Sequence, residues 1–173
     1  MAWKCDEGET VFDANERAEL AHKNFLSGYN CAQSVVMTYV DVFEEAGIDP
    51  ELAAKLASPF GGGMGRMREV CGCVSGSLMV LGLVEGYNDA KAYAAKKRLY
   101  EEVQDIVARY RDENGSIVCR ELLGLGKGTD APTPERRTEA YYRKRPCADL
   151  CASAARIMAE FLNEVETEGE TQA

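Results

Sequence analysis

Wherever this chain is periodic, its apolar residues recur at helical spacing, and no segment alternates as a half-buried strand does. The clearest stretch is Asp89 to Arg111, where Tyr93, Leu99, Val103, Ile106 and Tyr110 punctuate a charged sequence and predict an amphipathic helix. Helices are likewise predicted for Asp13 to Leu26, with Asp13 as cap and Gly28 as breaker, and for Cys31 to Ala46, with Asn30 as cap and Gly47 as stop. Pro50 opens a short helix through Ser58. Val74 to Val84 is apolar enough to be buried, and its Gly76 and Gly82 suggest that another backbone comes close. Ser116 to Leu123 with Ser116 as cap, Glu135 to Lys144, and Pro146 to Val165 complete the set. Gly124 to Pro134 is a surface loop.

These readings predict an all-α fold, a compact single-domain helical bundle of about six to seven helices with a glycine-rich loop. The domain is expected to span residues 1–173, with a core over about 13–165 and flexible ends at 1–12 and 166–173. The loop is Phe60-Gly61-Gly62-Gly63-Met64-Gly65, whose glycines rule out regular helix. Neither a dinucleotide fingerprint nor a P-loop motif surrounds it, and no strand precedes it, so nucleotide binding is disfavoured. Its backbone N–H groups are instead expected to approach the Cys71 thiolate or a bound cluster, unless the loop is only a tight turn between packed helices.

The net charge of −9 disfavours nucleic acid and anionic membrane as partners. No apolar run is long enough to cross a bilayer, and the start of the chain does not read as a signal peptide, so a cytoplasmic location is expected. Thiols in that compartment stay reduced and more often serve metals or catalysis than structural bridges.

Seven cysteines, Cys5, Cys31, Cys71, Cys73, Cys119, Cys147 and Cys151, cannot all pair internally, and a lone histidine, His22, leaves little room for cysteine–histidine chemistry. Cys31, Cys71, Cys119 and Cys147 all fall at or near predicted helix starts, where unpaired N–H groups and the helix dipole favour thiolate. Arg66 and Arg68, Arg120, and Arg143 to Arg145 lie near these sites in sequence and would push the same way if they are near in space. Cys147 and Cys151 share a helix face. Cys71 and Cys73 reach one site only if Gly72 keeps their stretch non-helical. Against this stands the reading of buried cysteine as a small hydrophobe, which suits Cys151 in its apolar stripe, and Cys5 reads as incidental. There is no C-x-x-C pair, so spacing alone gives little support for zinc.

Gly28-Tyr29-Asn30-Cys31-Ala32-Gln33-Ser34-Val35, Phe60 to Gly65, Cys71-Gly72-Cys73-Val74-Ser75-Gly76, Gly115-Ser116 with Cys119, and Cys147-x-x-Leu150 together resemble the redox-active protein family named for its C_GCAxxG_C_C cysteine pattern. The resemblance implies that Cys31, Cys71, Cys119 and Cys147 are the characteristic cysteines, and that Cys73 stands where the family motif has alanine. It implies an electron-transfer or oxidoreductase-accessory role with a redox partner protein, and an iron–sulfur centre has been proposed for a related domain. Four thiolates are the usual ligands of such a centre. Taken together, the candidate ligands or redox thiols are Cys31, Cys71, Cys119 and Cys147, with Cys73 and Cys151 as further candidates, and Gly61, Gly62, Gly63, Gly65 and Gly72 as backbone contacts to a cofactor. Zinc, a metal-free thiol/disulfide protein or sensor, and a helical interaction module with structural cysteines remain open, as does a homodimer. All redox readings require sulfurs distant in sequence to meet in one pocket.

Overall fold

A computed structural model describes residues 12–171, with side chains through residue 165. It is all-helical, and the described residues contain no strand beyond one isolated bridge between Val70 and Val118. Cys5 lies outside the described residues.

Helix α1 (Ala14–Leu26) starts where Asp13 accepts hydrogen bonds from the N–H groups of Asn15 and Glu16. The helix read as one piece from Cys31 to Ala46 is three: α2 (Cys31–Val36), a 3₁₀ turn (Met37–Tyr39) and α3 (Val40–Glu45). The break has a tertiary cause. The Arg17 guanidinium takes the Thr38 carbonyl, and the Thr38 hydroxyl donates to the Ser34 carbonyl at 2.8 Å. That diversion tightens the chain and turns Tyr39 inward, where its hydroxyl donates to the Ala155 carbonyl at 2.6 Å.

Helix α4 (Pro50–Ala57) and a 3₁₀ turn (Ser58–Phe60) lead into α5 (Gly61–Met64), a single turn in which Gly62 and Gly63 have positive φ. Helix α6 (Gly72–Val84) is apolar nearly all round, which fits a central position. Gly76 meets the α2 backbone as expected: a Cβ there would lie 2.8 Å from the Ala32 carbonyl oxygen. The same expectation fails at Gly82, which faces no atom within 4 Å.

Helix α7 (Tyr93–Asn114) begins later than its periodicity suggests, and Tyr93 is 80% exposed and not part of the buried stripe. The short helices α8 (Cys119–Leu122) and α9 (Glu139–Lys144) follow, the former starting after Val118 and not at Ser116. Helix α10 (Cys147–Thr171) runs on past Val165. Its stripe of Leu150, Ala154, Ile157, Met158 and Phe161 is buried, chiefly against α1, while α2, α6 and α7 pack alongside. Small residues on that stripe, Ala154 and Ala155, let these helices approach closely, so the first turns of α2, α6 and α10 converge.

Candidate metal and redox site

Each cysteine is delivered by a local device. Asn30 and Gln33 form a capping box: the Asn30 side chain accepts from the Gln33 N–H at 3.0 Å, and the Gln33 side chain accepts from the Asn30 N–H at 3.2 Å. Cys31 is therefore held at the first position of α2. The Asn30 amide also donates to the Ser58 carbonyl at 2.9 Å, which pins the cap to the glycine run. Asn30→Ala is expected to cost about 1–2 kcal/mol by loss of the cap. Chemical denaturation checks this, and an unchanged midpoint would show that the box contributes nothing.

Cys71 occupies the cap position of α6 in an extended conformation, so its side chain leaves in a different direction from that of Cys73 inside the helix. Gly72 is thus helical and does not break the stretch as the sequence reading required; the extended cap conformation of Cys71 takes that part. The segment 69–71 runs antiparallel to 117–119: the Cys71 N–H donates to the Ile117 carbonyl at 2.8 Å, and the Cys119 N–H to the Glu69 carbonyl at 2.7 Å. This pairing sets Cys119 at the start of α8 close to Cys71. Pro146 lies one residue ahead of α10 and supplies the first helical carbonyl to Leu150, leaving Cys147 as the first residue of that helix. Cys151 follows one turn later.

All six cysteines among the described residues are buried and free. The sulfurs of Cys31, Cys73 and Cys151 lie within 4.8 Å of one another, and Cys73 and Cys151 are 3.5 Å apart. A zinc- or iron-bound thiolate pair needs S···S of about 3.8 Å, from metal–sulfur bonds of about 2.3 Å in tetrahedral geometry. The triad could therefore hold a metal ion. Around it, Cys147 hydrogen-bonds Cys31, and Cys71 hydrogen-bonds Cys73. The Tyr110 hydroxyl donates to Cys71 at 3.8 Å, and Arg68 Nη1 donates to Cys119 at 3.8 Å.

In front of these sulfurs opens a cavity of about 250 Å³, lined by Cys31, Cys119 and Cys147 together with Gly61, Gly62 and Gly65. Arg66, Arg68, Arg137 and Arg145 also line it, in a chain that is otherwise acidic. Behind the lining glycines, Gly63 and Gly72 are required by contact. A Cβ on Gly63 would sit 2.7 Å from Cys119 Cβ, and one on Gly72 would sit 3.1 Å from Cys31 Cβ. The loop N–H that reaches sulfur belongs to Gly62 and goes to Cys31, not to Cys71 as expected from the sequence.

Charge is concentrated on one thiol. Hydrogen bonds from the Cys147, Cys151 and Cys73 thiols, with the Gly62 N–H, hold Cys31 well below the usual thiol range despite its burial. Cys147 is pushed up, first by its hydrogen bond to Cys31 and then by burial, and burial comes first for Cys151 and Cys119. Helix-start placement does not lower Cys119 or Cys147, and at Cys31 the hydrogen bonds of neighbouring thiols lead. A metal would deprotonate the others, as coordinated thiols are.

The basic residues sort differently from their sequence neighbours. Arg68, 3% exposed, serves Cys119 rather than the nearby Cys71. Arg120 bonds to Glu69 and to the Arg68 and Met67 carbonyls rather than to a thiol. Arg143 pairs with Glu139 on the surface, and Arg145 with Glu135. His22 is a partly exposed surface residue beside Asp149. Sequence reasoning ranked Cys151, which sits in the pocket, only as a further candidate, because an apolar stripe hides a thiol among aliphatic neighbours. It missed Tyr110 and Arg137, the latter lying over the rings of Phe25 and Tyr141 and donating to the Phe25 and Tyr29 carbonyls.

Asp130 binds both Arg66 and Arg68 and so fastens the 123–138 loop over the cavity rim. Arg68 foremost holds the Asp130 carboxyl below its ordinary range. A depressed folded-state value means the contact is intact above the usual aspartate pKa and is lost as pH falls through the folded one. Amide protection in residues 123–138, taken relative to the unstructured exchange rate at each pH, is therefore expected to fall, as the pH drops below the ordinary aspartate range, before protection in α10 does. Equal protection of both at every pH would refute this.

The family described as "Putative redox-active protein (C_GCAxxG_C_C)" matches residues 29–161, most of the chain and every cysteine of the pocket. The chain belongs to this family. No match was found among curated proteins or among solved structures. Within the C_GCAxxG_C_C pattern, Cys31, Cys119 and Cys147 are the cavity-lining cysteines, while Cys73 and Cys151 are wholly enclosed behind them. No helix of the described residues is long and apolar enough to cross a membrane.

Proposed function

We propose that this C_GCAxxG_C_C protein is an electron-transfer or oxidoreductase-accessory protein whose Cys31, Cys71, Cys119 and Cys147 ligate an iron–sulfur centre. The observation that carries the reading is the convergence of six free, buried thiols behind an arginine-lined cavity. Two seats compete for Cys31. The triad with Cys73 and Cys151 suits a single ion, since its sulfurs are tightly enclosed. A cluster carries inorganic sulfide and needs room, and the room lies beside Cys31, Cys119 and Cys147.

When bound, such a centre supplies one-electron transfer. The chain's own groups prepare the ligands. The Gly62 N–H and Arg68 favour negative sulfur at Cys31 and Cys119, and the Tyr110 hydroxyl orients Cys71. Four arginines against the carboxylates of Asp130 and Glu135 leave positive charge to balance thiolates. We further propose a cytoplasmic location, with a redox partner protein exchanging electrons at the cavity rim.

Anaerobically purified protein is expected to be brown and to contain iron and acid-labile sulfide in near-equal amounts. Colourless, metal-free protein would overturn the proposal. Zinc without sulfide would replace it with a structural site in a helical interaction module.

A further inference from the structure

We propose that Cys73 and Cys151 form a two-electron dithiol/disulfide couple directly behind the cavity thiols. The assignment of the other four cysteines rests on the function proposed above; the chemistry of this pair does not.

Three observations carry it. The two sulfurs are 3.5 Å apart, in direct contact. Closing to a disulfide bond of about 2.05 Å is a small displacement, within reach of side-chain rotation. Both residues are 0% exposed, so solvent and bulky reagents do not reach them. They come from different helices, α6 and α10, so the bond would link two elements already packed together. Cys73 sits inside α6 with its sulfur turned to Cys151, and Cys151 donates to the Cys31 carbonyl at 3.8 Å, which ties the pair to the cavity edge. Sulfur here packs on sulfur, an arrangement that simple space-filling does not require.

On oxidation two S–H bonds break and one S–S bond forms. The two electrons pass singly to two equivalents of a one-electron acceptor, and the two protons leave by way of the Cys31 sulfur, which hydrogen-bonds both thiols and lines the cavity. Reduction reverses each step. A one-electron acceptor suits the burial, because electrons can leave without the acceptor touching sulfur. The protein would thereby hold a two-electron store beside a one-electron site.

The test uses the full chain, purified anaerobically, reduced with a phosphine, freed of reductant and titrated with ferricyanide. Samples are acid-quenched, alkylated under denaturing conditions, digested without reduction and sequenced by tandem mass spectrometry. The expected product is a peptide pair joined through Cys73 and Cys151. Cys73→Ala should lose that pair and two electron equivalents per chain. A linkage of Cys31 to Cys147 instead, or no linkage at all, would overturn the couple. Metal and sulfide content of the parent separates the two ideas. A linked pair in metal-free protein upholds the couple and removes the iron–sulfur reading. A metal-loaded protein without the link does the reverse.

Discussion

Cys31→Ser is expected to lower metal occupancy at least tenfold while leaving the fold intact. Loss of a contact beyond the ligands typically costs 10–100-fold in metal affinity, and loss of a ligand costs no less. Cys31 is the sulfur on which the pocket converges: it accepts from Cys147, Cys151, Cys73 and the Gly62 N–H, and these hold it well below the usual thiol range. Serine preserves the size and the hydrogen bond to Gly62 but does not ionise under working conditions. The capping box depends on Asn30 and Gln33, not on the Cys31 side chain, so α2 should still start in place. Iron and sulfide content, read beside far-ultraviolet circular dichroism, checks both halves. Wild-type metal content in Cys31→Ser would remove this residue from the ligand set.

Gly63→Ala is expected to destabilise the protein by about 2–5 kcal/mol. Gly63 has φ +68°, where an L residue is strained by about 1–2 kcal/mol. The added methyl would meet Cys119 Cβ at 2.7 Å, the Glu69 nitrogen at 2.8 Å and the Arg68 carbonyl carbon at 3.0 Å. Two of these are backbone atoms fixed by the pairing of 69–71 with 117–119, so relief requires moving that pairing, at an overpacking cost of about 1–3 kcal/mol. Gly82→Ala is the contrast. It lies within α6 with nothing inside 4 Å, and it should stabilise by about 0.5–1 kcal/mol. Urea denaturation of both variants decides the matter. Equal midpoints would mean that the glycine run is not held by contact.

Much of the fold was legible because its signals are local. Asp13, Asn30 and Pro50 act as start signals where the sequence places them, and the glycines of 61–65 do break regular helix. The division of the second helix was not legible, since it depends on Arg17, which is far away in sequence, capturing the Thr38 carbonyl. Tyr93 fits the period of α7 yet lies at its first residue, where no neighbour covers it.

At the site, the approach of Cys147 to Cys31 agrees with the expectation that distant thiols meet. The reach of Arg68 to Cys119 and the bridge between Val70 and Val118 are tertiary facts. No spacing rule contains them.

The hydrogen-bonded neighbours Cys73 and Cys151 are 78 residues apart, and Cys151 is 120 residues from the Cys31 carbonyl it meets. No fragment of the chain can assemble this pocket by itself. Any occupant therefore binds only the finished fold, and by mass action it raises the melting temperature in proportion to the logarithm of its concentration. Loading of the sulfurs thus serves as a report that the whole chain has reached its native arrangement.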